Sequence, residues 1–202
     1  MTAVSKRELP APPVSRAQIL RYMGCRETTP EVEALIDRAL SVAEGALSYS
    51  VCYAEYDVHW EGETADLTFI KTDSRDLAKS IRGCDKILLF AATVGLGLDR
   101  LILRYGKCEP SLALGLQALG AERIEALCDA FCHELSIEYK ERGYTLRPRF
   151  SAGYGDLPLR TQTKIFTALG CEKQIGLTLN AGLIMSPTKS VTAIIGIQSN
   201  TL

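Results

Sequence analysis

A surplus of charge of either sign is missing from this 202-residue chain, in which 23 basic side chains face 24 acidic ones for a net charge of −1. Nucleic-acid binders carry a basic excess or stripe, so that class is excluded. The opening residues, M-T-A-V-S-K-R-E-L-P-A-P-P, lack the apolar core of a signal peptide. The longest apolar run, residues 87–98, is too short to span a bilayer and holds two glycines, so no membrane span is expected. Histidine is scarce, with only His59 and His133, and no Ser-His-Asp or Cys-His set emerges. Seven cysteines show no pairing pattern, which fits free thiols in a reducing compartment; a cytoplasmic location is expected. What is present is ordinary for a globular chain: 47% hydrophobic and 23% charged residues, enough for one sizeable domain.

Residues 1–13 hold three prolines and few apolar anchors and read as a mobile N-terminal arm, leaving 14–202 as a single domain. Ser15 and Thr29, the latter followed by Pro30, have the pattern of helix N-caps, and Gly24 ends the first helix. Residues 48–60 and 65–70 read as two strands joined by a turn, and Ser74 as the cap of a short helix. Lys86 to Thr93 (K-I-L-L-F-A-A-T) is a continuous apolar run, hence a strand buried on both faces. Leu112 to Arg142 forms the longest helix, with Ile124, Leu127, Cys128, Phe131, Cys132 and Leu135 on one arc. Glu122, Asp129 and His133 point away from that arc, and Glu125 lies at its edge. A short helix over about 159–169 and a hairpin of G-L-I-M with V-T-A-I-I-G-I close the chain. Strands and helices do not alternate strictly, which predicts an α+β fold rather than a doubly wound sheet.

The stretch R-F-S-A-G-Y-G-D, Arg149 to Asp156, concentrates chemistry. Arg149 offers a planar fork of donors for a carboxylate or phosphate. Gly153 and Gly155 permit turns closed to other residues and a close approach of backbone to a ligand. Tyr154 adds a flat apolar face with a hydroxyl tip. Such a loop suits a small zwitterionic or anionic ligand.

Three co-linear blocks extend this reading. R-x-x-x-G-Y runs from Arg149 to Tyr154 with Pro158 four residues on, E-K-x-I-G-x-x-L spans Glu172 to Leu179, and M-x-P-x-x-S-V spans Met185 to Val191. Together they resemble the activation domain of cobalamin-dependent methionine synthase, over the last third of the chain. The resemblance implies a twisted, mainly antiparallel sheet with flanking helices, and a module that binds S-adenosylmethionine. It implies that Arg149 takes the ligand carboxylate, that the backbone around Ser151, Gly153 and Tyr154 lies along the nucleoside, and that Tyr154 faces a docked cobalamin during methyl transfer. A helical glutamate ahead of the loop, here Glu125, is implied to hold polar groups of the ligand; an ungapped register through His133-Glu134 puts Ala126 there instead, and a solvated Glu125 is the alternative. The implied function is reductive methylation of a corrinoid protein in trans, with cobalamin carried by the partner. That partner is a methionine synthase lacking its activation domain or another corrinoid protein, with a flavodoxin-type electron donor. A sensing or docking module without turnover is the alternative.

Other patterns are weaker. G-L-G-L-D-R, Gly95 to Arg100, has Arg100 where a dinucleotide fingerprint needs glycine, and reads as a strand-to-helix turn. D-V-H-W-E-G, Asp57 to Gly62, matches D-x-H-x-x-G of corrinoid domains, but no Gly-Gly pair follows and His59 is expected in a strand. Cys128, Cys132 and His133 do not share a face, so no metal site is expected.

Overall fold

Ile87 to Thr93 are all buried, and the rest of the protein is laid around that strand. The computed structural model describes residues 3–200. In chain order the first elements are β1 (Ser5–Glu8), α1 (Arg16–Tyr22), α2 (Pro30–Ala43), β2 (Ser50–Asp57), β3 (His59–Glu61), β4 (Thr64–Asp66) and β5 (Lys71–Thr72). Next come α3 (Arg75–Ser80), β6 (Lys86–Thr93), α4 (Leu96–Cys108), α5 (Pro110–Glu141) and β7 (Tyr144–Leu146). The last are α6 (Thr161–Leu169), α7 (Cys171–Ile175), β8 (Thr178–Leu179), β9 (Met185–Ser186) and β10 (Ser190–Ser199).

The main sheet has the order β1-β2-β6-β10-β7, and every pairing in it is antiparallel. Side chains alternate across β6 with the period of two that a strand imposes. Leu88, Phe90 and Ala92 face a layer built from α1, α2, α4 and α5, while Ile87, Leu89 and Ala91 face α3, α6 and α7. The fold is therefore α+β with helices on both sides of an antiparallel sheet. Phe131 of α5 packs against Tyr53 and Phe90, ring centroids 5.2 and 5.3 Å away. Gly120 lets α4 approach α5, since a Cβ there would lie 2.5 Å from a Leu98 methyl.

Local signals placed the helix starts. The Ser15, Thr29 and Ser74 hydroxyls each accept from the N–H three residues on, at 3.4, 3.4 and 3.1 Å. Long-range pairing overrode four expectations. Residues 5–8 are not part of a mobile arm: β1 is the edge strand on β2, Arg7 pairs with Glu138 at 2.6 Å, and Leu9 is buried. The strand expected over 48–60 breaks at Val58, and β3 joins a separate sheet of order β3-β4-β5. The closing hairpin does not form, because β9 pairs with β8 while β10 runs back between β6 and β7. Glu122 does not point to solvent: it is buried against Arg123. Residues 12–15 cross that side of α5, so the helix is covered on two sides; the Pro12 and Pro13 carbonyls accept from Arg123, and Glu122 accepts from the Ser15 N–H. Among the described residues no helix is long and apolar enough to cross a membrane.

Candidate functional site

Residues 147–150 run beside β10, held by Arg147 N–H to Gly196 O and by a reciprocal pair between Phe150 and Ile194, each at 2.8 Å. This fixes the backbone that carries Arg149. Its side chain reaches α5, where Nη2 donates to Glu125 Oε2 at 2.8 Å and to Asp129 Oδ1 at 2.9 Å. Glu125 and Asp129 are one turn apart, so both reach the same nitrogen. Burial works against the Arg149 charge, but the carboxylates of Glu125 and Asp129 oppose it, and the guanidinium pKa lies above its ordinary value. Burial pushes the Cys128 and Cys132 thiols up, so both stay protonated neighbours of the arginine.

Beyond Arg149 the chain makes a tight loop. Tyr154 N–H donates to Ser151 O at 3.2 Å, and Gly153 N–H to Leu157 O at 2.9 Å. Gly153 and Gly155 have φ of +92° and +54°, the left-handed region that favours glycine. The loop is pinned from outside by Asp156, whose carboxylate accepts from the Ser74 hydroxyl, from Arg75 N–H at 2.8 Å and from Asp76 N–H at 3.2 Å, at the start of α3. Asp76 returns the contact by accepting from Asp156 N–H at 3.2 Å. A Cβ on Gly155 would lie 2.2 Å from that Asp76 carboxylate. The Ser74 hydroxyl above all, then the two N–H groups, hold the Asp156 carboxyl below its ordinary value against the opposing effect of burial.

Between this loop, α5 and β10 lies a cleft of about 370 Å³, lined among others by Glu125, Arg149, Ser151, Tyr154, Gln162 and Thr192. All five expected site residues meet here: Glu125, Arg149, Ser151 and Tyr154 line the cleft, and Gly153 shapes the loop beside it. Ala126 lines a different cleft, against residues 12–22, so the structure brings Glu125 rather than Ala126 to Arg149. Tyr154 is 70% exposed at the mouth. Among the described residues three buried side-chain polar atoms lack a hydrogen-bond partner: Arg149 Nη1, Gln162 Oε1 and Thr192 Oγ1. All three belong to residues of this cleft. An unpaired buried polar atom costs about 1–3 kcal/mol, so three on the residues of one cleft call for an explanation.

A solved structure shares this architecture. The chain is similar to the crystal structure of the MetH reactivation domain bound to AdoHcy, with a TM-score of 0.70 at 16% sequence identity. The alignment covers 99% of this chain and 80% of that one. The fold is that of the MetH reactivation domain. No family model matches the chain, and no curated protein matches it either.

Three residues of the site were not singled out from the sequence. Gln162 gave no signal. Thr192 gave a faint one, as a lone hydroxyl in the aliphatic run V-T-A-I-I-G-I. Asp129 was correctly placed off the core arc, but nothing local indicated that Arg149 would bridge it to Glu125. The remaining motifs sit elsewhere. His59 is exposed on β3 and does not line the cleft. The G-L-G-L-D-R glycines serve close packing, since a Cβ on Gly95 or Gly97 would lie 2.3 Å from Ser48 Oγ or 2.1 Å from Ala46 O. Asp99 of the same motif accepts from the Thr188 N–H and hydroxyl, both at 2.7 Å.

Proposed function

We propose that this chain binds S-adenosylmethionine in the Arg149 cleft and acts in trans as the reactivation module of a corrinoid protein. That partner is a cobalamin-dependent methionine synthase lacking such a domain, or another cobalamin carrier, served by a flavodoxin-type electron donor. The observation that carries the reading is the convergence of three unpartnered buried polar atoms on one cleft. The structural neighbour, bound to AdoHcy, indicates which class of polar ligand to try first.

The chain's own residues divide the work. The Arg149 fork takes the ligand carboxylate, and Nη1 is the donor already free for it. Glu125 balances the ligand ammonium, because an ionised carboxylate accepts strongly. Gln162 and Thr192 offer hydroxyl-matching groups deeper in the cleft. The Ser151–Tyr154 loop, rigid through its contact with α3, supplies backbone for the nucleoside. The corrinoid of the partner supplies the nucleophile for the sulfonium methyl, so this module contributes position and orientation rather than a reacting group. Tyr154, exposed at the mouth, is the side chain available to pack against a docked partner.

Calorimetric titration with S-adenosylmethionine tests the ligand. Arg149→Ala is expected to weaken binding by about 1.5–3 kcal/mol, the scale of a charged hydrogen bond, in a protein that stays folded. Unchanged affinity removes Arg149 from the site. Docking is tested by Tyr154→Ala and Tyr154→Phe. Ligand affinity is expected to hold within a few-fold while Tyr154→Ala slows methyl transfer to a reduced corrinoid partner. Transfer at the unmodified rate in both variants refutes docking through Tyr154 and favours a sensing module without turnover.

A further inference from the structure

Two carboxylates share one nitrogen of Arg149 while its other terminal nitrogen has no partner, and this asymmetry has a use. We infer that Asp129 is an internal stand-in for the carboxylate of the ligand: it holds the Arg149 fork in the empty site and must let go when the ligand binds. The inference rests on the proposed binding of a zwitterionic ligand at Arg149.

A guanidinium presents its terminal nitrogens as a parallel fork to a bidentate carboxylate. Nη1 is free, but the two protons of Nη2 are committed, one to Glu125 and one to Asp129. A ligand carboxylate that closes on both nitrogens displaces one of the two acids. Their surroundings decide which. The Asp129 side chain is 74% exposed and that of Glu125 is 45% exposed, so the Asp129 carboxylate is rehydrated at smaller cost. Glu125 faces into the Arg149 cleft. Asp129 lines only the neighbouring cleft against residues 12–22, which Glu125 also borders, so it has open space to turn into away from the Arg149 cleft. Glu125 thus stays to meet the ammonium, and Asp129 makes way for the carboxylate. The same contact keeps Arg149 extended towards α5 before the ligand arrives, at the expense of some affinity.

The test separates competition for Arg149 from the general attraction of a negative charge for a cationic ligand. S-adenosylmethionine and the same compound without its carboxylate, decarboxylated S-adenosylmethionine, are titrated by calorimetry into the unmodified chain, Asp129→Ala and Asp129→Glu. Loss of the Asp129 charge weakens both ligands alike through their shared amino and sulfonium groups, so the readout is the ratio of the two affinities. In Asp129→Ala the preference for the carboxylate-bearing ligand is expected to rise about two- to five-fold, the scale of an exposed ion pair. Asp129→Glu, which keeps the competitor, is expected to stay near the unmodified ratio. Binding of S-adenosylmethionine seen only after Asp129→Ala also supports the inference. A ratio that is unchanged or lower in Asp129→Ala overturns it while leaving the proposed function standing. If no chain binds either ligand, the function and the inference fall together. Asp129 is exposed, and thermal melting monitored by circular dichroism checks that each variant is folded.

Discussion

Removal of one guanidinium far from solvent gives the most quantitative test of the fold. Arg123 and Glu122 are 2% and 3% exposed. Arg123 Nε and Nη2 grip the Glu122 carboxylate at 2.5 and 2.6 Å, and Nη1 and Nη2 donate to the Pro12 and Pro13 carbonyls at 2.6 and 2.7 Å. Arg123→Met keeps most of the side-chain volume and leaves Glu122 with the Ser15 N–H alone, at 2.9 Å. Breaking a buried pair from one side costs about 3–5 kcal/mol, a large share of the roughly 5–15 kcal/mol that holds a domain folded. With a slope near 2 kcal/mol per M, the urea midpoint is expected to fall by about 1.5–2.5 M. Adding Glu122→Gln removes the stranded charge and keeps an acceptor for Ser15. The double variant is then expected to lose only about 1–3 kcal/mol, for the dry Pro12 carbonyl. A loss under about 1 kcal/mol in the single variant, or equal losses in both, refutes the account of a charge held in place by its partner.

Two further outcomes concern the loop. Gly155→Ala is expected to weaken S-adenosylmethionine binding roughly ten-fold or more by forcing the loop off Asp76. Gly176→Ala, at φ +66° with nothing within 4 Å of the new Cβ, is expected to cost only the roughly 1–2 kcal/mol of a left-handed alanine and to leave binding unchanged; equal effects on binding sink this reasoning. Asp156 has a folded pKa below its unfolded value, so its contribution to stability is present above the ordinary aspartate range and is lost as pH falls through the depressed value. Carbon-detected NMR should place its midpoint below that of an ordinary aspartate, and Ser74→Ala should raise it; a midpoint at or above the ordinary value refutes the link between loop and α3.

What was legible in the sequence was local. Ser15, Thr29 and Ser74 announced their helices because a cap is settled within three residues. The run from Lys86 to Thr93 announced a buried strand because no polar residue interrupts it between Ile87 and Ala92. What failed depended on distant partners. Residues 190–199 looked like the second arm of a hairpin because S-P-T-K-S is good turn chemistry, yet their neighbours are β6 and β7. Glu122 looked solvent-facing because a helical wheel counts one buried face, whereas residues 12–15 cover a second. At the candidate site, the glycine loop and its arginine stood out through composition, and Glu125 through its place at the edge of an apolar arc. Asp129, Gln162 and Thr192 come from a helix, a helix and a strand that meet only in the folded chain, so no window of sequence holds them together.

The antiparallel order of the main sheet has a consequence for how the chain is made. One edge of β6 is covered by β2, but the other waits for β10, and Ser190 lies opposite Thr93. Those residues are 97 positions apart, so at about 5–20 residues per second the ribosome leaves an aliphatic strand edge open for roughly 5–20 s. An open apolar edge invites pairing with another chain. When β10 arrives it covers that edge, collects β7 on its far side and aligns the segment that carries Arg149. The candidate site therefore comes into being only once β10 has been made, and a nascent chain lacking β10 has no such site.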